Sequence, residues 1–509
     1  MIKIIVCQKV VDINLINMKT HTLLGSIILV GGLLSCQGKP QLEWVASTET
    51  ACWQTEEPLP VAEASVEPLV SIKTTDVQQQ IEGFGACFNE LGWMSLNKLE
   101  PADREKVLEE LFYPNFGANF TIARIPVGAN DFSRDWYSYD EQASDFAMES
   151  FTIANDKQTL IPFIQNALKY NADLKLWASP WSPPSWMKHN QHYASRSTQK
   201  MARELAKTLQ AGESTYMTKV VDNGLPEDRE GAEGTDMFIC EPEYFSAYAL
   251  YFSKFIDAYR KEGINISMVM PQNEFNSAQI FPSCCWTAAG LAEFVGNYLG
   301  PAMEEKGIEV MFGTMERPNA ALVDTLLNDP ESSKYIRGVG FQWAGKGAIA
   351  SIHQRYPALK LYQTEQECGD GKNTWDAALY AWQLMQHYLN NGTSAYLYWN
   401  ISLEDGGISR WGWAQNSLVV VDAERKSYRY TPEYYIMKHV SHYVQPGAFK
   451  LAADGDAKGL LAFVNPDQSI VVVVSNESAE PKVYPFSVDG QVYAPQLAPR
   501  SINTFLWRK

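Results

Sequence analysis

Leu359-Lys360-Leu361-Tyr362-Gln363-Thr364, then residues 374–390, then Ala395-Tyr396-Leu397-Tyr398-Trp399-Asn400 form the stretch that decides the fold. The first and last pieces are short runs of apolar, β-branched or aromatic residues and read as strands, while the middle piece reads as a helix. Strand, crossover helix and strand in this order make the repeating unit of a parallel sheet. Working outward, the same rhythm holds from about residue 80 to about residue 425, with further candidate strands at 81–87, 120–126, 174–179, 267–271, 309–313 and 338–343. Helices are expected at 101–113, which begins with proline, and at 158–170, 243–261 and 287–306. Eight such units in about 350 residues predict an α/β fold, a (β/α)8 TIM barrel with insertions. The polar stretch 190–240 reads as an inserted loop.

Both flanks of the barrel differ from it. Beyond about residue 430 the pattern turns to strands at 459–465, 469–475, 483–488 and 502–507, separated by the turn signals Asn465-Pro466-Asp467 and Asp489-Gly490. This predicts a small C-terminal β-sandwich-like domain over 429–509, after a barrel domain over 76–428. Residues 37–75, broken by Pro58, Pro60 and Pro68, read as a linker with one or two strands that join the β domain. Ahead of them, Lys19 and the apolar run 23–34 lead into Leu33-Leu34-Ser35-Cys36, and residues 1–36 are read as an export signal. Leu-Leu-Ser-Cys resembles a bacterial lipobox, which makes Cys36 the expected lipid-anchored first residue of an exported, periplasmic or cell-surface lipoprotein. Residues 1–17, with Asp12 among them, read as sequence ahead of the true start.

Composition narrows the partners. A net charge of −17 without any basic run speaks against nucleic acid, because phosphate binding needs clustered lysine and arginine. Aromatic residues make up 12% of the chain, 15 of them tryptophan, and flat rings with polar edges suit the C–H faces and hydroxyls of a sugar. Among the eight cysteines no C-x-x-C pair occurs, so no zinc site is expected, and the six beyond Cys36 permit disulfides without fixing a connectivity. No metal cluster or phosphate-cradling loop is found, so no cofactor is expected, and the chain is read as a monomer.

In a barrel of this kind the reacting groups sit at the C-terminal ends of the strands. Strand four ends in Pro271-Gln272-Asn273-Glu274-Phe275 and strand seven in Gln363-Thr364-Glu365-Gln366-Glu367. Two carboxylates facing each other across the mouth are what glycoside hydrolysis requires. A gap of about 5–5.5 Å gives retention through a covalent glycosyl-enzyme, and one of about 6.5–9.5 Å admits a water and gives inversion. Glu367 is a rival to Glu365, because residues two apart on a strand face the same side. Trp186, Trp411 and Trp413 are candidates for a sugar platform.

Several stretches taken together resemble glycoside hydrolase family 30, the glucosylceramidase-like family: Gly83-Phe84-Gly85, Arg124-Ile125-Pro126, Asp131-Phe132-Ser133, Ala178-Ser179-Pro180-Trp181, Asn273-Glu274, Thr364-Glu365 and Trp399-Asn400. The resemblance implies a retaining hydrolase of β-glucosidic bonds, with Glu274 as general acid/base and Glu365 as nucleophile. It also implies that Asn273 meets the sugar 2-hydroxyl and that Asp131, Trp181 and Trp399 hold the terminal glucose. Arg124, Trp343 and Asn400 complete the set of expected substrate contacts, and Arg124 is expected to lower the Glu365 pKa. At strand six the chain departs from the many members that carry histidine and tyrosine there. Its Phe341-Gln342-Trp343-Ala344-Gly345-Lys346 is closer to the β-1,6-glucanase branch than to the ceramide-cleaving one, and it lacks the tyrosine hydroxyl expected beside the nucleophile. An exo-acting β-glucosidase or glucosylceramidase is the alternative, and a xylan or fucoside would be a third substrate class. A non-catalytic glycan-binding surface lipoprotein would need neither glutamate, and both are present.

Overall fold

The structure, a computed structural model, describes residues 42–212, 217 and 219–508. The export signal expected over 1–36, Cys36 included, lies outside the described residues.

All eight expected strands are present and close into one parallel barrel: Gly83–Cys87, Ile122–Val127, Lys175–Pro180, Ile266–Val269, Glu309–Met315, Ile336–Gln342, Lys360–Glu365 and Thr393–Asn400. They are called barrel strands one to eight below. Their faces are filled by residues such as Phe84, Ile122, Leu176, Val310, Val339 and Leu361, all buried. Strand one starts later than its sequence suggests because Ile81 exchanges backbone hydrogen bonds with Gly447 and Ala448 outside the barrel. Strands one and two approach so closely that a Cβ on Gly85 would lie 1.7 Å from the Ile122 carbonyl oxygen, which only glycine permits.

Two expectations need correction. The helix expected over 287–306 is divided into Ala288–Phe294, a single wide turn over Val295–Leu299, and Gly300–Glu305. Pro301 has no N–H to give to the turn before it, and the Gly300 N–H reaches back to the Val295 carbonyl instead of the one after it. The segment read as a loop over 190–240 contains the helix Thr198–Gln210, capped by Ser197. Met201 and Leu205 on this helix pack against the barrel core, while Asn223 beyond it donates to the Ile280 and Arg196 carbonyls.

Beside the barrel stands a nine-stranded sheet in which strands from both flanks interleave. Its order is Gln54–Thr55, Leu42–Ser47, Ser501–Trp507, Ile470–Asn476, Leu460–Val464, Phe449–Gly455, Val70–Gln80, Phe486–Val488 and Gln491–Tyr493. In Ile470–Asn476 every residue is buried. Val471 and Val473 face the core continuous with the barrel, and Val472 and Val474 face a second core with Phe486, Phe505 and Trp507. The period of two thus welds the sandwich to the barrel. His439, on the helix Pro432–Ser441 between them, hydrogen-bonds both Ser47 and Thr504.

Candidate active site

Arg124 on barrel strand two is fully buried and organises the mouth from beneath. Its guanidinium donates to Glu365 Oε2 at 2.9 Å, to Asn273 Oδ1 at 2.7 Å and to Ser179 Oγ at 2.8 Å. Its plane lies over the Trp181 ring, 4.3 Å from the centroid. A planar fork with several fixed donors is what lets one side chain set three strand ends at once. Thr314 does similar work from strand five. Its hydroxyl donates to Asn273 Oδ1 at 3.0 Å and accepts the Glu274 backbone N–H at 2.9 Å. With Asn273 Oδ1 filled from inside the protein, the amide NH2 is the end left to face the pocket.

The pocket itself is lined by Asp131, Trp181, Asn273, Glu274, Gln279, Phe281, Glu316, Trp343, Glu365, Trp413 and Gln415. Glu274 and Glu365 face one another across the side-chain amide of Gln342, which donates to Glu274 Oε1 at 3.0 Å and to Glu365 Oε2 at 3.2 Å. Even laid end to end, those two distances fall short of the ~6.5 Å at which a water fits between the carboxyl groups. Glu365 gathers donors: besides Arg124 and Gln342, the Trp343 indole N–H reaches Oε1 at 3.0 Å. An indole therefore takes the place of the tyrosine hydroxyl missing from the sequence. Glu274 has only Gln342 and a 3.3 Å contact from Gln279. Both Glu274 and Trp343 hold left-handed backbones, with φ of 47° and 46°, a disfavoured conformation that accompanies functional sites.

The electrostatics follow from burial. Glu274 is pushed up to about 7, first by burial and then by the Glu365 charge. Asp131 is raised well above its ordinary value by burial and by its two acidic neighbours, and its buried Oδ1 has no hydrogen-bond partner among the described residues. The expectation that Arg124 lowers Glu365 is corrected: Arg124 pulls the value down, as do Trp343 and Gln342, but burial outweighs them and the net direction is upward. Asp131, Glu274 and Glu365, three of the four carboxyl groups that line this cavity, each raise the cost of ionising the others. The donors on Glu365 favour its anion, while burial and the Glu365 charge favour the protonated forms of Glu274 and Asp131.

Not every expected contact reaches the pocket. Asn400 lies behind it, accepting from Asn89 and donating to Gln415 Oε1 and the Asn416 carbonyl, so it supports Gln415 instead of facing a ligand. Trp399 is buried against Trp181, with ring centroids 5.3 Å apart. Glu367 is turned out of the mouth, paired with Lys346 at 2.5 Å and with Tyr380 at 2.8 Å, because the strand and its alternation end at Glu365. Trp186 packs on Phe146 and Tyr244, Trp411 is buried, and Trp413 lines the pocket. Sequence reasoning missed Gln279, Phe281, Glu316 and Gln415, which sit in loops without a motif, and it quoted Gln342 without giving it a task. The six cysteines among the described residues are free thiols.

Residues 81–223 and 230–444 match the family model described as the glycosyl hydrolase family 30 TIM-barrel domain, and residues 456–505 match the glycosyl hydrolase family 30 beta sandwich domain. Putative glucosylceramidase 1 of Caenorhabditis elegans is 28% identical over 437 residues, which cover 81% of this chain and 76% of that protein. An endo-1,6-beta-D-glucanase of Aspergillus fumigatus is 25% identical over 441 residues, covering 82% of each. The crystal structure of SrfJ from Salmonella typhimurium superposes with a TM-score of 0.78 at 23% identity, over 92% of this chain and 100% of that one.

Proposed function

The chain belongs to glycosyl hydrolase family 30 and is a glycoside hydrolase, and on that premise we propose that it is a retaining β-1,6-glucanase with Glu274 as general acid/base and Glu365 as nucleophile. The observation that carries the mechanism is the single Gln342 amide shared by both carboxyl groups, which keeps them too close for an intervening water. In the first step a Glu365 oxygen bonds to the anomeric carbon, the glycosidic C–O bond breaks, and the leaving oxygen takes the Glu274 proton. In the second, Glu274 takes a proton from water as that water displaces Glu365, so two inversions give retention. Asp131, unpartnered in the cavity, is placed to bond a hydroxyl of the glucose stacked near Trp181, and the Asn273 amide is placed for the 2-hydroxyl.

The substrate assignment is supported by Gln342-Trp343-Ala344-Gly345-Lys346 at strand six and by the similarity to the Aspergillus endo-1,6-beta-D-glucanase. The similarity to a putative glucosylceramidase supports the alternative, an exo-acting β-glucosidase. The test is to follow the protein lacking residues 1–36 on β-1,6-glucan, glucosylceramide and an aryl β-glucoside, with products read by chromatography and anomers by NMR. Short β-1,6-oligosaccharides released with retention are expected. Turnover of the ceramide without the glucan would replace the assignment with the alternative, and an inverted product would remove the mechanism. Residues 18–36 support export with a lipid anchor at Cys36. Radiolabelled palmitate should enter the wild type and not Cys36→Ala, and equal labelling would remove the anchor.

A further inference from the structure

We propose that Glu316 is a specificity-determining residue that accepts a hydroxyl of the departing group and so selects a sugar over a lipid there. This deepens the reading above and rests on it. Around the closed barrel, strands five and six lie on one side of the line from Glu274 to Glu365, and strands eight, one, two and three lie on the other. Asp131 and Trp181, which hold the glucose in that reading, follow strands two and three. Glu316 follows strand five, so it lies on the side to which the leaving group points.

What surrounds Glu316 fixes it as an acceptor. Its backbone N–H donates to Asn276 Oδ1 at 3.2 Å, in the same loop that carries Glu274. Its carboxylate is ion-paired with Arg317, and the side chain is only 11% exposed. Arg317 is in turn held by Glu233 from the inserted segment, through contacts of 2.8 and 3.4 Å to its two oxygens. A carboxylate clamped in this way has acceptor oxygens and no donor to offer, so the ligand atoms that satisfy it are hydroxyl hydrogens. Hydrocarbon set against it would leave a carboxylate oxygen facing the ligand without a hydrogen-bond donor. The neighbouring lining agrees: Phe281 and Trp413, edge to face at 5.9 Å, offer aromatic surface for the C–H bonds of a sugar, and Gln279 adds an amide. Arg317 and Glu233 are positioning residues acting through Glu316.

The experiment compares wild type, Glu316→Gln and Glu316→Leu on the four β-linked glucose disaccharides (1,2, 1,3, 1,4 and 1,6), glucosylceramide and 4-nitrophenyl β-glucoside. The quantity read is the ratio of kcat/KM on the preferred disaccharide to that on the nitrophenyl glucoside, which does not depend on the folded fraction of a preparation. It should fall about 10- to 100-fold in Glu316→Leu and less in Glu316→Gln, which keeps one acceptor oxygen. An unchanged ratio in both variants, or an equal loss on both substrates, would overturn the role of Glu316. A wild type that prefers a linkage other than 1,6 while the ratio still falls would remove the β-1,6 assignment and leave Glu316 standing. A wild type that cleaves glucosylceramide and no disaccharide would overturn both.

Discussion

In the flanking sheet, strand Ile470–Asn476 is buried throughout and its four valines meet apolar partners on both faces. At the barrel mouth the burial is as deep, but it falls on Arg124, Asp131, Glu274 and Glu365, with Asp131 Oδ1 and the Trp399 indole nitrogen unpaired and two backbones left-handed. Each such unpaired group or strained backbone costs about 1–3 kcal/mol. The contrast teaches that the two regions divide the work: apolar burial in the sheet and barrel wall supplies the margin within which the mouth holds an arrangement that is unfavourable before substrate arrives.

That division makes opposite demands on substitutions in the two regions. Glu365→Gln, at the mouth, should lower turnover of an aryl β-glucoside by at least about 10^4-fold with little change in far-UV circular dichroism; a retained rate would end the assignment of the nucleophile. Phe486→Ala, in the sheet, should cost about 3–5 kcal/mol in denaturant unfolding while leaving kcat per folded molecule unchanged. A loss of kcat there would break the division itself.

The next effects refine it within the mouth. Glu274→Gln should cost about 10^2–10^4-fold on a sugar leaving group and much less on dinitrophenyl β-glucoside, which departs without a proton. In the proposed mechanism Glu274 is the acid and its pKa lies near 7, so wild-type activity should fall as pH rises through about 7, and that limb should be absent from the variant's profile. The same shift has a sign for stability. A folded value of about 7 against an ordinary glutamate value of 4.5 gives a stabilising contribution that is complete below 4.5 and lost as pH rises through 7. Thermal melts of wild type should therefore decline between pH 5 and 8 more than those of Glu274→Gln. Trp343→Phe, which removes one donor from Glu365, should cost only about tenfold in kcat; an unchanged kcat would mean that the indole bond is idle.

Much of the barrel was legible because each strand is a brief apolar run between helices, and the period of such runs survives whatever the loops do. The convergence of Arg124, Asp131, Trp181, Asn273, Glu274 and Glu365 was legible because each lies at or just beyond a strand end. Asn400 and Trp399 satisfy the same rule yet meet Asn89, Gln415 and Trp181 instead of a ligand, since a place near a strand end does not say which neighbours a side chain packs against. Glu367 fails for the same reason. The sign of the Glu365 shift needed the depth of its burial, and the roles of Gln342 and Glu316 needed contacts between loops far apart in sequence. The helix in the inserted segment was hidden by a polar composition whose few apolar residues cover only one narrow face.

Strand Ser501–Trp507 pairs with Leu42–Ser47 on one side and with Ile470–Asn476 on the other, and Trp44 bonds Asn503 across 459 positions. In a nascent chain Leu42–Ser47 can pair early with Gln54–Thr55, but its other edge stays unmated until the stretch from Ser501 has left the ribosome, so an edge made early is satisfied late. Chain interrupted before that point would present an open edge able to pair with a neighbour, and loss of Ser501–Trp507 would harm assembly far more than its length suggests.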